Sequence, residues 1–371
     1  IQNRVAESRR GPKKPGEGEF AGPLNYAYHF DAVRLARLLQ ARATELGVRH
    51  LTGLLTGVEL DDAGSIARVT TREQGALEAD LYIDCSGFRA ELIGKALGAP
   101  FRSVRDMLFT DRALACKIPY GDPDAPIESF TIATAHPAGW TWDIGLEGAR
   151  GIGTVYSSAH MSDDEAAAVL HAYLGHDAPR ARIIPFEPGY RAAQWVKNCV
   201  AVGLSAGFLE PLESTSIALI ENGIERLKSL FPDKTFAPSI IEEFNDQSAR
   251  EMEHTRDFII LHYWLNGRDE PFWRERREAA IPDTLARKVE LWKARGQFVR
   301  YRWEMFHPAS WLAIYDGFGV LPEQLDPAVE GLDPGQLAHS LQQMRTSVAE
   351  TVARTPSHAA FLARLDRPVA A

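Results

Sequence analysis

The stretch at residues 199–224 restricts this chain more than any other. It reads Cys-Val-Ala-Val-Gly-Leu-Ser-Ala-Gly-Phe-Leu-Glu-Pro-Leu-Glu-Ser-Thr-Ser-Ile-Ala-Leu-Ile-Glu-Asn-Gly-Ile. An apolar strand at 200–202 enters a turn of small residues, with Gly203, Ser205, Ala206 and Gly207. The turn leads to a helix whose Ile217, Ile220, Ile224 and Leu227 are expected to face inward. Small residues let backbone amides come close to an anion, and the start of a helix carries partial positive charge. Such a turn can hold a flavin pyrophosphate or ribityl chain, or a bare halide. A tight strand-to-helix turn with no ligand has the same composition. Glu210 and Glu213, on either side of Pro211, shift the balance toward a ligand, because carboxylates this close to an apolar strand end need a partner or a task.

The rest of the chain is read around that unit. Residues 1–20, with Arg9, Arg10, Lys13 and Lys14 among glycines and prolines, predict a loop or disordered arm. Asp31 is the expected N-cap of a helix with Leu35, Leu38, Leu39, Ala43 and Leu46 on one face, ended by Gly47. Strands are expected at 48–51, at 54–60 and 66–71 around the turn at Asp61-Asp62-Ala63-Gly64, and at 79–83, the last ending in Asp84-Cys85-Ser86-Gly87. Trp140, Trp142, Ile144 and Leu146 alternate with Thr141, Asp143 and Gly145, which predicts a strand with a strongly apolar face; a returning strand follows at 152–156. Ser162-x-x-Glu165 is a capping box. Beyond Pro232 the pattern is mostly helical, with a last long helix from Asp333-Pro334 to Pro356.

Composition excludes several functions. With 41 basic against 50 acidic residues, the formal net charge of -9 argues against nucleic acid or an anionic membrane as the partner. No apolar run reaches the roughly 18–20 residues of a bilayer span. Cys85, Cys116 and Cys199 are odd in number and widely spaced, so neither a disulfide framework nor a metal site is expected, and the setting is read as cytoplasmic. His254, His262 and His307 show no ligand spacing and are read as structural.

Gly203-Leu-Ser-Ala-Gly-Phe-Leu-Glu-Pro-Leu-Glu-Ser-Thr-Ser-Ile217 resembles the signature of flavin-dependent halogenases of the tryptophan-halogenase type. Tyr28-His-Phe-Asp31, Asp80-Leu-Tyr-Ile-Asp-Cys-Ser-Gly-Phe-Arg89, Gly139-Trp-Thr-Trp-Asp-Ile144, Arg256-Asp-Phe-Ile-Ile-Leu-His-Tyr263, Pro271-Phe-Trp273 and Trp311-Leu-Ala-Ile-Tyr-Asp-Gly-Phe-Gly319 resemble the same family in the same order. The resemblance implies an α/β fold, part of the FAD-dependent monooxygenase-like architecture, with a mixed sheet and a mainly helical C-terminal region. The partial FAD-binding domain is expected at 21–120 and 196–240, a substrate-side sheet and helix at 121–195, and a helical substrate region at 241–371.

The implied chemistry is halogenation of an electron-rich aromatic such as an indole. Reduced FAD from a separate reductase, oxygen and halide would act through hypohalous acid. The resemblance puts the catalytic glutamate on Glu213 and the halide-binding amides on Thr215 and Ser216. It puts the flavin contacts on Ser86, Gly87, Gly203, Ser205, Ala206 and Gly207, and tunnel or substrate contacts on Trp140, Trp142 and Trp311. Three departures stand out. Ser216 replaces a frequent glycine, Gly145 follows Ile144 where the family has proline, and residues 300–308 lack a tyrosine-rich insertion, which weakens the case for free tryptophan. The family's Gly-rich FAD motif and catalytic lysine have no counterpart among these residues, Lys13, Lys14 and Lys117 included. The chain is therefore expected to be an amino-terminally truncated portion that alone neither binds FAD tightly nor halogenates. A flavin monooxygenase of the same fold and a non-catalytic remnant are the competing readings.

Overall fold

The computed structural model describes residues 1–13, 17, 18, 21, 24–122, 124–176 and 181–365; Lys14, Pro15 and Gly16 of the expected arm lie outside them. The start of that arm is not a loop. Gln2–Glu7 is a helix with Val5 buried, and Arg9 behind it donates to Glu128 at 2.6 Å. Tertiary contact, which composition does not reveal, orders it.

Two segments distant in sequence form the parallel pair that carries the site. Cys199–Ala201 runs parallel to Tyr82–Asp84 and antiparallel to Trp195–Val196. The expected strand at 79–83 therefore forms later and shorter, where its partner runs alongside. Asp84 ends it and is 1% exposed. Its carboxylate accepts from the Ser86 amide and hydroxyl and from the Leu92 and Ile93 amides, latching the strand to the π-helical turn Glu91–Ala96. Buried carboxylates persist when their lone pairs are satisfied in this way.

Asp31 caps the Ala32–Glu45 helix, accepting from the Val33 and Arg34 amides, yet no residue of that helix is buried, and Leu38, Leu39 and Leu46 are exposed. Leu55–Leu60, Ile66–Thr71 and Gly75–Leu77 form an antiparallel sheet. The expected strand at 48–51 is absent: no segment pairs with it, and an unpaired extended run has no ladder.

A five-stranded antiparallel sheet runs in the order Arg182–Pro185, Arg112–Pro119, Ala149–Tyr156, Gly139–Leu146, Ile132–His136. The expected one-sided apolar strand is instead covered on both sides, because Trp140 and its neighbour Thr141 are both buried, as is Asp143. The Arg150 guanidinium satisfies Asp143. The capping box forms reciprocally at Ser162 and Glu165 and starts Asp163–Leu174, whose Ala166 and Leu170 join the main core.

The helical part is built on Pro238–Trp264, whose Phe258–Leu261 segment is buried, with Pro271–Glu278, Asp283–Arg295 and Pro308–Gly317 beside it. The Trp273 indole N–H donates to the His136 carbonyl at 2.8 Å and ties these helices to the sheet. At ~25 cal/mol per Å², large rings of this kind dominate the burial energy. Pro334–Arg354 follows as expected but buries nothing.

Candidate active site

Val202 hands the chain from its strand to the 3-10 turn Gly203–Ser205, after which Gly207–Phe208 pairs with Gly189–Arg191. The turn depends on its glycines for different reasons. Gly203 has φ +75°, a left-handed conformation that side chains with a Cβ disfavour. Gly207 is pressed against a neighbouring strand, and a Cβ there would stand 2.7 Å from the Gly189 carbonyl oxygen. Arg191 braces the loop from outside, donating to the Ser205 carbonyl at 3.1 Å and to the Ala99 carbonyl.

This loop is a partition. On one side a cavity of about 220 Å³ is lined by Gly203, Ala206, Gly207, Thr215 and Ser216, so five of the expected ligand residues meet there. On the other, a cavity of about 520 Å³ is lined by Ser205, Phe88, Arg105 and Arg191. Leu204 and Phe208 face both. The expected contacts at Ser86 and Ser205 are limited to their backbones, because both hydroxyls are committed internally. Ser86 Oγ donates to Asp84, and the single Ser205 hydroxyl hydrogen is shared between the Asp84 carbonyl and the Val202 carbonyl at 3.1 Å. Gly87 lines neither cavity.

A buried ion pair floors the smaller cavity. Arg226 donates to Glu251 at 2.8 Å and to Ser248 at 2.9 Å, with both charged side chains under one-tenth exposed. Arg226 and Leu227 are the buried residues of the Ser216–Ser229 helix. The expected apolar stripe is thus corrected: Ile217 and Ile224 are exposed, Ile220 is half-buried, and an arginine takes the inner position.

Glu210 and Glu213 occupy opposite environments. Glu210 is 1% exposed and accepts from Thr110 Oγ1 and the Tyr263 hydroxyl, each at 2.6 Å, while its Oε1 has no partner. Burial pushes its carboxyl up to about 7, against the pull of these two donors. The Trp140 indole N–H lies beside the Tyr263 phenol without closing a well-formed hydrogen bond. Glu213 instead sits in the open turn Leu212–Ser214 with φ +67°, followed by Ser214 at φ +52°. Two successive non-glycine residues in the left-handed region cost on the order of 1–3 kcal/mol each, and such strain concentrates at functional positions. Directly after them the Ser216–Ser229 helix begins with Thr215 as N-cap and no side-chain cap, which leaves the first-turn amides without their usual acceptor.

His262 reaches Glu213 from the long helix, with Nε2 at 2.9 Å from Oε1. The absence of ligand spacing around this histidine gave no sign of that contact. The two residues are 49 positions apart and no local spacing links them, although His262 lies inside a stretch that already resembled the family.

The tryptophans divide. The Trp140 and Trp142 rings are 6.2 Å apart on one strand face, Trp140 buried and Trp142 half-buried. Trp311 is 3% exposed, edge-on to Phe258 at 5.0 Å, with the Lys288 ammonium 4.4 Å from its ring centroid. It lines neither cavity. Lys117 is paired with Asp31 at 2.5 Å and Lys13 donates to the Gly18 carbonyl.

Comparison with known proteins identifies what the whole chain is similar to. The family model described as tryptophan halogenase matches residues 2–334. The tryptophan 6-halogenase SttH of Streptomyces toxytricini is 36% identical over 350 residues, which cover 93% of this chain and 67% of that protein. Among solved structures, the flavin-dependent halogenase BrvH from Brevundimonas sp. BAL3 superposes with a TM-score of 0.92 at 51% identity, covering 98% of this chain and 75% of the other. A flavin-dependent halogenase from Xanthomonas campestris gives a TM-score of 0.92 at 39% identity, covering 97% and 72%.

Proposed function

We propose, for a chain that belongs to the tryptophan halogenase family, that Glu213 receives the proton an aromatic ring loses on halogenation, with the halide held beside it at Thr215 and Ser216. The protein is a flavin-dependent halogenase, and its cofactor is reduced FAD from a separate reductase, used with halide. Its substrate is aromatic; we take it to be indole-like, as in the tryptophan halogenases it resembles. One observation carries the residue assignments: within one turn the backbone presents a strained carboxylate and then an uncapped helix start.

The residues fit the cofactor where small side chains line the cavity. Gly203, Ala206 and Gly207 would hold it through backbone atoms; Ser205 faces the larger cavity and Ser86 and Gly87 face neither, so their main chain is assigned to the cofactor on the family resemblance. When bound, reduced flavin with oxygen supplies the oxidising power that makes halide electrophilic. The amides of Thr215 and Ser216 hold the anion at the positive end of the helix. Trp140, Trp142 and Trp311 line neither cavity, and their assignment to the aromatic walls of the substrate path rests on the family resemblance. Glu213 stabilises the cationic ring and takes its proton on one carboxylate oxygen as the C–H electron pair returns to the ring. The Asp31–Lys117 contact, outside this group, has no step here. The three free cysteines support a reducing, cytoplasmic setting.

The test is a bromide-dependent assay with indole, a flavin reductase and FAD, run on these residues within a chain that also carries the family's Gly-rich FAD motif and catalytic lysine. Brominated indole is expected, with a loss on the order of a hundredfold in Glu213→Gln. Oxygenated product without bromination, or full activity in Glu213→Gln, would overturn the proposal.

A further inference from the structure

Glu213 lies in a turn that its own backbone disfavours, and the structure shows what holds it there. His262 is fixed first. Its Nδ1 meets the Phe258 carbonyl, one helical turn earlier, at 2.8 Å, and its ring stands edge-on to Phe258 at 5.0 Å and 87°. A carbonyl oxygen only accepts, so Nδ1 carries the hydrogen of that bond. Nε2 then faces Glu213 Oε1 at 2.9 Å. A neutral ring with its hydrogen on Nδ1 would point a lone pair at a carboxylate lone pair. The contact therefore holds a proton between Nε2 and Oε1. If Glu213 is to be free to take a proton from the ring, that shared proton belongs on Nε2.

We propose that His262 is a positioning residue for Glu213: its Nε2–H anchors Oε1, holds the left-handed Glu213–Ser214 turn in place, and leaves Oε2 as the oxygen that receives the arene proton. This inference rests on the reading of Glu213 as the proton acceptor. The arrangement matches the way buried carboxylates orient catalytic histidines, with the two partners exchanged. His262 is 14% and Glu213 34% exposed at the side chain, so the bond is shielded but the acceptor oxygen can still pass its proton on to water. The other carboxylate whose charge senses His262 is Glu210, which is buried and already hydrogen-bonded to Thr110 and Tyr263.

Two substitutions and one spectrum test it in the FAD-loaded enzyme. His262→Phe keeps the packing on Phe258 and removes both nitrogens; His262→Gln restores an N–H donor near the Nε2 position. kcat is expected to fall on the order of tenfold or more in His262→Phe, with KM for the arene within about twofold, and to recover largely in His262→Gln. In cofactor-free protein labelled with ¹⁵N-histidine, the Nε2 resonance of His262 should move in Glu213→Gln, because that nitrogen faces Oε1. An Nε2 resonance unchanged in Glu213→Gln would overturn the inference, even if His262→Phe fails to fold. So would a folded His262→Phe enzyme with normal kcat. If Glu213→Gln is inactive while His262→Phe is normal, the proton-acceptor reading stands and the positioning role falls. If Glu213→Gln is fully active, the parent reading falls instead.

Discussion

The Tyr263 hydroxyl stands 2.6 Å from Glu210 Oε2, and both groups are sealed from solvent. The pair shares a proton-rich pocket with Thr110, three residues before the exposed Glu213. Two glutamates flanking one proline thus have opposite environments: burial keeps Glu210 protonated to near neutrality, whereas Glu213 lies at the surface with His262 as its partner.

That relationship fixes a pH dependence. The folded-state carboxyl of Glu210, at about 7, lies above the ordinary value of 4.5, so the folded protein retains a proton the unfolded chain has lost. Stability from this group is present below about pH 4.5 and is lost as pH rises toward 7 and beyond, by at most about 3 kcal/mol. Glu210→Gln cannot ionise. Its urea stability relative to the parent should therefore improve between pH 5 and about 7 and level off above; a constant difference across that range would show that Glu210 does not titrate in it.

Asp84 accepts four hydrogen bonds at the end of its strand. Asp84→Asn places an amide among donors and should cost about 2–3 kcal/mol of unfolding free energy. Hydrogen exchange at the Leu92 and Ile93 amides should speed up first, ahead of the five-stranded sheet.

Arg226 and Glu251 form the charged floor of the smaller cavity. Removing one partner strands the other charge, so Glu251→Ala should lose about 3–5 kcal/mol in chemical denaturation. The double change Arg226→Met with Glu251→Leu should recover a large part of that loss, because the cost lies in the unpaired charge.

Gly207→Ala drives a methyl group toward the Gly189 carbonyl and the Tyr190 side chain. A loss of about 1–3 kcal/mol is expected. A calorimetric scan should show the lowered midpoint without any ligand, which separates this packing role from cofactor contact.

Local signals were legible in the sequence wherever both partners lie within a few residues. The Ser162–Glu165 box, the Asp31 cap and the hairpin at Leu55–Thr71 formed where expected. Features set by distant partners were not. Residues 48–51 have the right composition for a strand but find no ladder, and Gln2–Glu7 is helical because it docks. The stripe on Ser216–Ser229 misled because Arg226, a charged residue, takes the inner position, and its reason, Glu251, is 25 residues on. Within the site, Gly203, Ala206, Gly207, Thr215 and Ser216 meet at one cavity. What composition hid was that the Ser86 and Ser205 hydroxyls serve Asp84 and its neighbours, and that Glu213 is tethered to His262.

The Glu213–Ser214 turn also sets a compromise on sequence drift. Glycine at 213 would relax the left-handed backbone, and by that term alone Glu213→Gly should gain up to ~1 kcal/mol while abolishing turnover. On the proposed role of Glu213, relief of backbone strain at this position and turnover therefore pull in opposite directions. Screens that reward heat tolerance without demanding catalysis would be drawn to this codon, and any thermostabilised variant obtained that way should be resequenced at 213 before its activity is judged.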